Sequence, residues 1–246
     1  MAEPEAEHGI HVLLLPNPSQ GHINPILQFG KRLAARRGVR CTLAVTRFVL
    51  AQSGDGGGEQ PATAGGGAVV HVAAVSDGCD RGGFDEAGGV AAYTARLEAA
   101  GSETVGALFR SEAALGRPVH ALVYDAFLPW ARRHGAASAA FFTQPCAVNV
   151  VYGHASTGLV EAPLLVAVGE RPLELPGLPA GLKPRDLPTF MTDPDDRAYL
   201  DLLVNQFSGL DKADHVLVNS FYELQPQVSS QLISASQFIS HFSFSK

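Results

Sequence analysis

The chain has 246 residues, 46% of them hydrophobic, enough apolar material for one sizeable core or two small ones. A formal net charge of -6 and a sequence pI near 5.8 exclude the basic footprint that binding to nucleic acid or an anionic membrane surface requires. The acidic start MAEPEAEHG lacks the layout of a signal peptide and no apolar run approaches a bilayer span, so a cytoplasmic protein is expected.

Residues 1–9 are expected to be disordered. The run His11-Val12-Leu13-Leu14-Leu15, closed by Pro16, predicts a parallel strand buried on both faces. Pro16, Pro18 and Gly21 predict a loop. From Ile23 the apolar residues Ile26, Leu27, Gly30, Leu33 and Ala34 follow one helix face, and Lys31, Arg32, Arg36 and Arg37 take the other. Gly30 removes a side chain from the face expected to lie on the sheet, and Gly38 supplies the stop. His22 then falls at the positive end of the helix dipole, where a neutral imidazole able to accept a proton is favoured. It also follows the carboxyl end of a first strand, the edge where open α/β sheets hold ligands. On local features alone, a histidine that caps or packs against its loop is the favoured reading.

Arg40 to Val45 predicts a second strand with an exit loop beginning at Thr46 and Arg47. The stretch SGDGGGEQPATAGGG, Ser53 to Gly67, buries too little to offset its ordering entropy and predicts a mobile surface loop. Val69 to Val75 gives a third strand. SDGCDRGGFDEAGG, Ser76 to Gly89, is a turn-rich loop positioned to line a pocket, and it leads into a helix carrying Leu97, Val105, Leu108 and Phe109.

VHALVYDAF predicts another buried strand with Asp125 at or just beyond its carboxyl end. If that strand neighbours the first, Asp125 can reach His22, orient its ring and stabilise its protonated form. An aspartate capping the helix that starts near Pro129 fits the local sequence equally well. AASAAFFT supplies a further strand ending at Thr143, placed to face a ligand, and an apolar helix follows through Val148, Val151 and Tyr152. Proline crowding from Pro163 to Pro194 predicts an extended segment covering the domain. Asp193, Asp195 and Asp196 read as solvated residues at the start of a helix with Tyr199, Leu202 and Leu203, in preference to a metal site. His215 to Asn219 is a last strand.

Alternating strands and helices predict a single doubly wound, Rossmann-like α/β domain over residues 10–224 with a mainly parallel sheet. Cys41, Cys79 and Cys146 are odd in number and lack metal-ligand spacing, so they read as reduced thiols, and no metal is expected. A dinucleotide glycine motif, a G-x-S-x-G elbow and a Walker lysine are all absent from the sequence, which argues against the commonest dehydrogenases, hydrolases and NTPases.

PNPSQGHINPILQFGKRL, SDGCDRGG, LVYDAFLPWA, FFTQPCAVN, LPGLP and ADHVLVNSFYELQP occur in that order. Together they resemble the N-terminal half of plant family 1 UDP-glycosyltransferases, whose full chains form two facing Rossmann-like domains in the GT-B arrangement. The resemblance runs from about His11 to about Leu224 and is closest to the subgroup acting on small carboxylic acids and related metabolites. It implies that His22 is the general base, that Asp125 pairs with it, that Gly21 and Thr143 meet the donor sugar, and that Ser19 lies beside the acceptor. It further implies inverting transfer of a hexose from UDP-glucose to a small-molecule acceptor, with no cofactor.

The family's second domain carries a tryptophan, a glutamine and a histidine-cysteine-glycine-tryptophan-asparagine run that hold the UDP-sugar. In this sequence the one tryptophan is Trp130 and that run is absent. Residues 225–246 form an atypical tail, in which 7 of the 18 residues from Ser229 to Lys246 are serine. The expectation is a truncated form that engages a UDP-sugar only when a C-terminal domain is supplied and is inactive or very weak alone. The tail's Leu232, Ile233, Phe238, Ile239, Phe242 and Phe244 are an aggregation hazard unless they cover an exposed face. A non-catalytic acceptor-binding or regulatory module is the alternative. An unrelated α/β nucleotide-binding oxidoreductase would need a glycine motif that PNPSQGH does not provide.

Overall fold

The structure is a computed structural model that describes residues 9–53, 62–63, 69–134, 137–164, 171–193, 195, 197–220, 222–224, 228 and 242–244. Residues 1–8, most of the glycine-rich stretch 53–67, Asp196, and Leu232, Ile233, Phe238 and Ile239 of the tail lie outside the described residues. The chain divides into two compact units.

The first unit comprises Met1–Tyr124 and Trp130–Ser138. Strand β1 (Ile10–Leu15) is buried at every position after Ile10, as its unbroken apolar run demands. Helix α1 (Gln20–Ala34) begins three residues earlier than the apolar spacing predicts, so Gly21 stands in its first turn and not in the loop. The cause is local: Ser19 is extended and its carbonyl takes the N–H groups of His22 at 3.0 Å and Ile23 at 2.9 Å. The helix packs through Ile26 and Gly30, where an added Cβ would overlap the Leu14 side chain of β1.

Strand β2 (Val39–Thr46) pairs parallel with β1, bringing Leu14 opposite Leu43. The predicted exit loop is instead a short helix, α2 (Arg47–Gln52), whose Phe48 ring lies against Gly83. Six residues are too few to register a helical period, so this tertiary contact was invisible in the sequence. Ala62–Thr63, within the stretch read as a loop, form β3, antiparallel to β4 (Val69–Val75), and β4 pairs parallel with β2. After the short helix α3 (Phe84–Ala87), helix α4 (Val90–Ala114) buries Leu97, Gly101 and Val105 at intervals of one helical turn. Strand β5 (Ala121–Asp125) then pairs parallel with the other side of β1, Leu15 opposite Tyr124. The strand order β3-β4-β2-β1-β5 therefore reverses direction between β1 and β5.

The second unit comprises Asp125–Pro129 and Ala139–Lys246. Strands β6 (Ala137–Phe142), β7 (His215–Val218) and β8 (Phe242–Phe244) run parallel, with Phe142 opposite Val218 and Val218 opposite Phe244. Part of the tail thus extends the sheet. Its core joins Val151 and Tyr152 of α5 (Cys146–Ser156) to Leu200 and Leu203 of α6 (Arg197–Asn205). Leu175, Leu187 and Met191 of the proline-crowded stretch complete that cluster, but the stretch predicted as extended turns through two 3-10 helices, Pro184–Asp186 and Thr189–Met191. The fold class is α/β with a mainly parallel sheet.

Candidate functional site

In open parallel sheets the place where strand order reverses leaves a crevice beyond the strand ends, because the crossover connections on either side depart in opposite directions. Here that reversal lies between β1 and β5, because the chain steps from β1 to β2 and β4 on one side and returns to β5 on the other. The short loop leaving β1 ends in Ser19, Gly21 and His22. Ser19 holds the N-cap position of α1 with an extended backbone, yet its exposed hydroxyl makes no capping hydrogen bond. Gly21 is exposed and an added Cβ would meet no described residue within 4 Å, so packing among the described residues does not require glycine there. His22 is the third residue of the helix, half-buried, at the end where the dipole is positive.

Asp125 closes β5, one residue beyond the Tyr124 that stands opposite Leu15. It is 1% exposed. Its Oδ1 accepts the N–H of Phe127 at 3.0 Å and its carbonyl accepts that of Leu128 at 2.8 Å, a turn leading into the 3-10 helix Pro129–His134. The bond therefore closes the turn ahead of the 3-10 helix and is not the helix cap that the local sequence suggested, and it occupies one carboxylate oxygen. Thr143 follows β6 at the same end of the strand. The backbone N–H of Ala126 bonds the carbonyl of Phe141 at 3.0 Å, which ties the turn after Asp125 to β6. The structure thus gathers Ser19, Gly21 and His22 in one helical turn of the first unit, and Asp125 and Thr143 on bonded segments of the second.

Two polar residues escaped the sequence reading. Asn149 of α5 donates through Nδ2 to the carbonyl of Gln144 at 3.0 Å, fixing the turn directly after Thr143. Its Oδ1, and Oε1 of Gln144, are buried without a hydrogen-bond partner among the described residues. The available signal was an asparagine inside the apolar run CAVNVVY, since a buried amide needs partners. Tyr93 of α4 donates its hydroxyl to Asp77 Oδ2 at 2.8 Å, while Asp77 Oδ1 accepts the Cys79 N–H at 2.8 Å. Burial, helped by Asp77, pushes the Tyr93 phenol upward. Ser76 Oγ and Arg47 Nη1 each donate to Asp80 at 2.7 Å, which outweighs its partial burial and keeps that carboxyl low. The turn-rich stretch from Ser76 is therefore a self-bonded structure. Asp195 N–H caps the Asp193 carboxylate at 2.9 Å, and among the described residues there is no group of three or more His, Cys, Asp or Glu able to hold a metal.

No protein-family model matches the chain. A UDP-glucosyltransferase of Hordeum vulgare is 48% identical over 227 residues, an alignment covering 88% of this chain and 44% of that protein. A flavonol 7-O-beta-glucosyltransferase of Arabidopsis thaliana is 38% identical, covering 87% and 44%. The crystal structure of Os79 from O. sativa, in complex with U2F and trichothecene, superposes with a TM-score of 0.76 at 39% identity, covering 92% of this chain and 50% of that one. The chain spans about half the length of the curated relatives it matches. In sequence and in fold, then, it is a relative of the plant UDP-glycosyltransferases and resembles the N-terminal half of such a protein.

Proposed function

We propose that the chain is the acceptor-binding half of an inverting UDP-glycosyltransferase. The reaction is transfer of a hexose from a UDP-sugar, UDP-glucose in the first instance, to a hydroxyl or carboxyl of a small plant metabolite such as a flavonol, a phenolic or a hormone acid. The observation that carries this reading is the position of His22 and Asp125: one follows β1 and the other ends β5, the two strands that flank the reversal of sheet order.

In this mechanism His22 takes the acceptor's proton as the acceptor oxygen attacks the anomeric carbon. The bond from that carbon to UDP breaks on the opposite face, and UDP leaves with the electron pair. Asp125 orients the imidazole and stabilises its protonated form. A carboxylate acceptor is already ionised near neutral pH, so for it His22 orients more than it deprotonates. Ser19 lies beside the acceptor. Gly21, which none of the described residues crowds, lets the donor approach the backbone, and Thr143 meets the sugar. The unpartnered oxygens of Gln144 and Asn149 next to Thr143 suit a hydroxyl-rich ligand. No metal or further cofactor enters, and the protein acts in the cytoplasm.

The relatives run to about twice the matched length, and the family resemblance implies that the remainder is a second domain, to which we assign most of the UDP-sugar affinity. Catalysis needs donor and acceptor held together in reacting geometry, so these 246 residues alone should give negligible turnover. The second reading is a non-catalytic acceptor-binding or regulatory module that retains Ser19, His22 and Asp125 for the acceptor alone. The deciding experiment is a mass-spectrometric assay of the folded chain with UDP-glucose and mixed flavonols and aromatic acids, beside His22→Ala. Little or no glucoside, with an acceptor that raises the melting temperature, is the expected result. Robust product that disappears in the His22 variant would show that this half suffices, and neither product nor acceptor binding would sink both readings.

A further inference from the structure

The amino-terminal ends of the first unit's strands, opposite the edge that carries His22, hold a second polar cluster. His11 of β1 is 2% exposed and both its ring nitrogens are engaged. Nδ1 lies 2.8 Å from the carbonyl oxygen of Arg117, and Nε2 lies 2.8 Å from Thr42 Oγ1. A carbonyl only accepts, so Nδ1 carries the hydrogen and Nε2 of the neutral ring accepts from the threonine hydroxyl. On β4, His71 Nε2 lies 2.9 Å from Nη1 of Arg40. A guanidinium only donates, so this nitrogen is bare. The backbone N–H of His11 donates in turn to Nδ1 of His120 at 3.0 Å.

The charged groups facing this pair come from several elements. Buried Glu112, near the end of α4, accepts from Arg117 Nε at 2.8 Å and Nη2 at 3.0 Å, and its Oε2 stands 3.9 Å from His11 Nδ1. Arg117 comes from the turn after α4 and Arg40 from β2. Burial holds His11 below the ordinary imidazole range, against the pull of the Arg117 carbonyl and Glu112. Burial and then Arg40 do the same to His71. Hydrogen bonds from Arg117 keep Glu112 below the usual carboxylate range, so it stays ionised while the histidines titrate.

We propose that His11 and His71 form an acid-sensitive latch, which fastens the starts of β1, β2 and β4 to the end of α4 while both rings are neutral and lets go when they take up protons. A proton on His71 Nε2 would face a guanidinium N–H, so the bond to Arg40 must break. A proton on His11 Nε2 would place a charge in a buried site beside Arg40 and Arg117. Folded-state values below about 6.5 mean that the latch's stabilisation is complete above that pH and is lost as pH falls through the folded values. Each proton taken up only on unfolding raises the unfolding constant by up to about tenfold per pH unit, so the pair gives up to about a hundredfold.

The test is urea unfolding of the full chain between pH 7.5 and pH 5, beside His71→Gln. The glutamine Oε1 can replace Nε2 as the acceptor for Arg40 but does not titrate. The variant should keep the stability of the parent at pH 7.5 and lose about tenfold per pH unit of its acid sensitivity. His134, which burial also lowers, is common to both chains and cancels in the comparison. Proton NMR of the imidazole C2–H groups of the parent gives an independent readout. The His11 and His71 signals should hold their neutral positions until unfolding begins. An undiminished pH slope in the variant, or titration of both rings near pH 6.5 in an intact fold, would overturn the latch.

Discussion

At position 125 the choice between aspartate and asparagine separates two roles. Oδ1 builds the turn by accepting the Phe127 N–H, a bond that asparagine can also make. The negative charge is what a partner for a protonated imidazole requires. Asp125→Asn should therefore unfold in urea close to the parent, whereas Asp125→Ala should lose about 1–3 kcal/mol by leaving a buried donor unpaired. Equal losses in the two variants would remove the turn from the account. The sequence offered pairing with His22 or a cap on the helix near Pro129, because an aspartate after a strand and before a proline serves either, and the turn bond to Phe127 lies one step before that helix. His22 was legible as a residue at a helix start, while the turn lock by Asn149 depends on a carbonyl five residues back that no periodicity reports.

The seam between β1 and α1 shows how an element is set by what it lacks. Gly30 lets the helix backbone approach β1 closely enough that an added methyl would overlap Leu14. We expect Gly30→Ala to destabilise by about 1–3 kcal/mol, since overpacking outweighs the gain in helix propensity. Combining it with Leu14→Ala should recover about 1 kcal/mol relative to the sum of the single changes, a coupling that a double-mutant cycle reads directly. Additive losses would mean that the two side chains do not compete for the same space. This packing was readable beforehand, because a glycine on the apolar face of a predicted helix after a buried strand has few other uses. The helix start was less legible. Pro16, Pro18 and Gly21 read as a loop and the apolar spacing sets in only at Ile23, whereas the backbone turns helical from Gln20. Helix α2 and strand β8 were missed because each is too short for a period to emerge and depends on partners remote in sequence.

Across the whole molecule the chain passes from one unit to the other more than once. Trp130–Ser138 belong with the first 124 residues, although Asp125–Pro129 before them and Ala139 after them belong to the second unit. Trp130 is 4% exposed, and its ring lies 2.8 Å from where a Cβ on Gly101 of α4 would stand. Replacing it with alanine should cost about 3–5 kcal/mol. Hydrogen exchange should locate the loss in α4 from Leu97 to Val105, and unchanged protection there would contradict the assignment of Trp130 to that unit. His134 adds to the same seam by stacking on Phe109, with ring centroids 5.5 Å apart. Fold class and strand sequence were visible from alternation of pattern alone, but this interleaving was not, because composition does not change across residues 125–138. For anyone recombining related chains, a junction anywhere between α4 and Trp130 would set one parent's tryptophan against the other parent's helix, so a crossover belongs after Ser138.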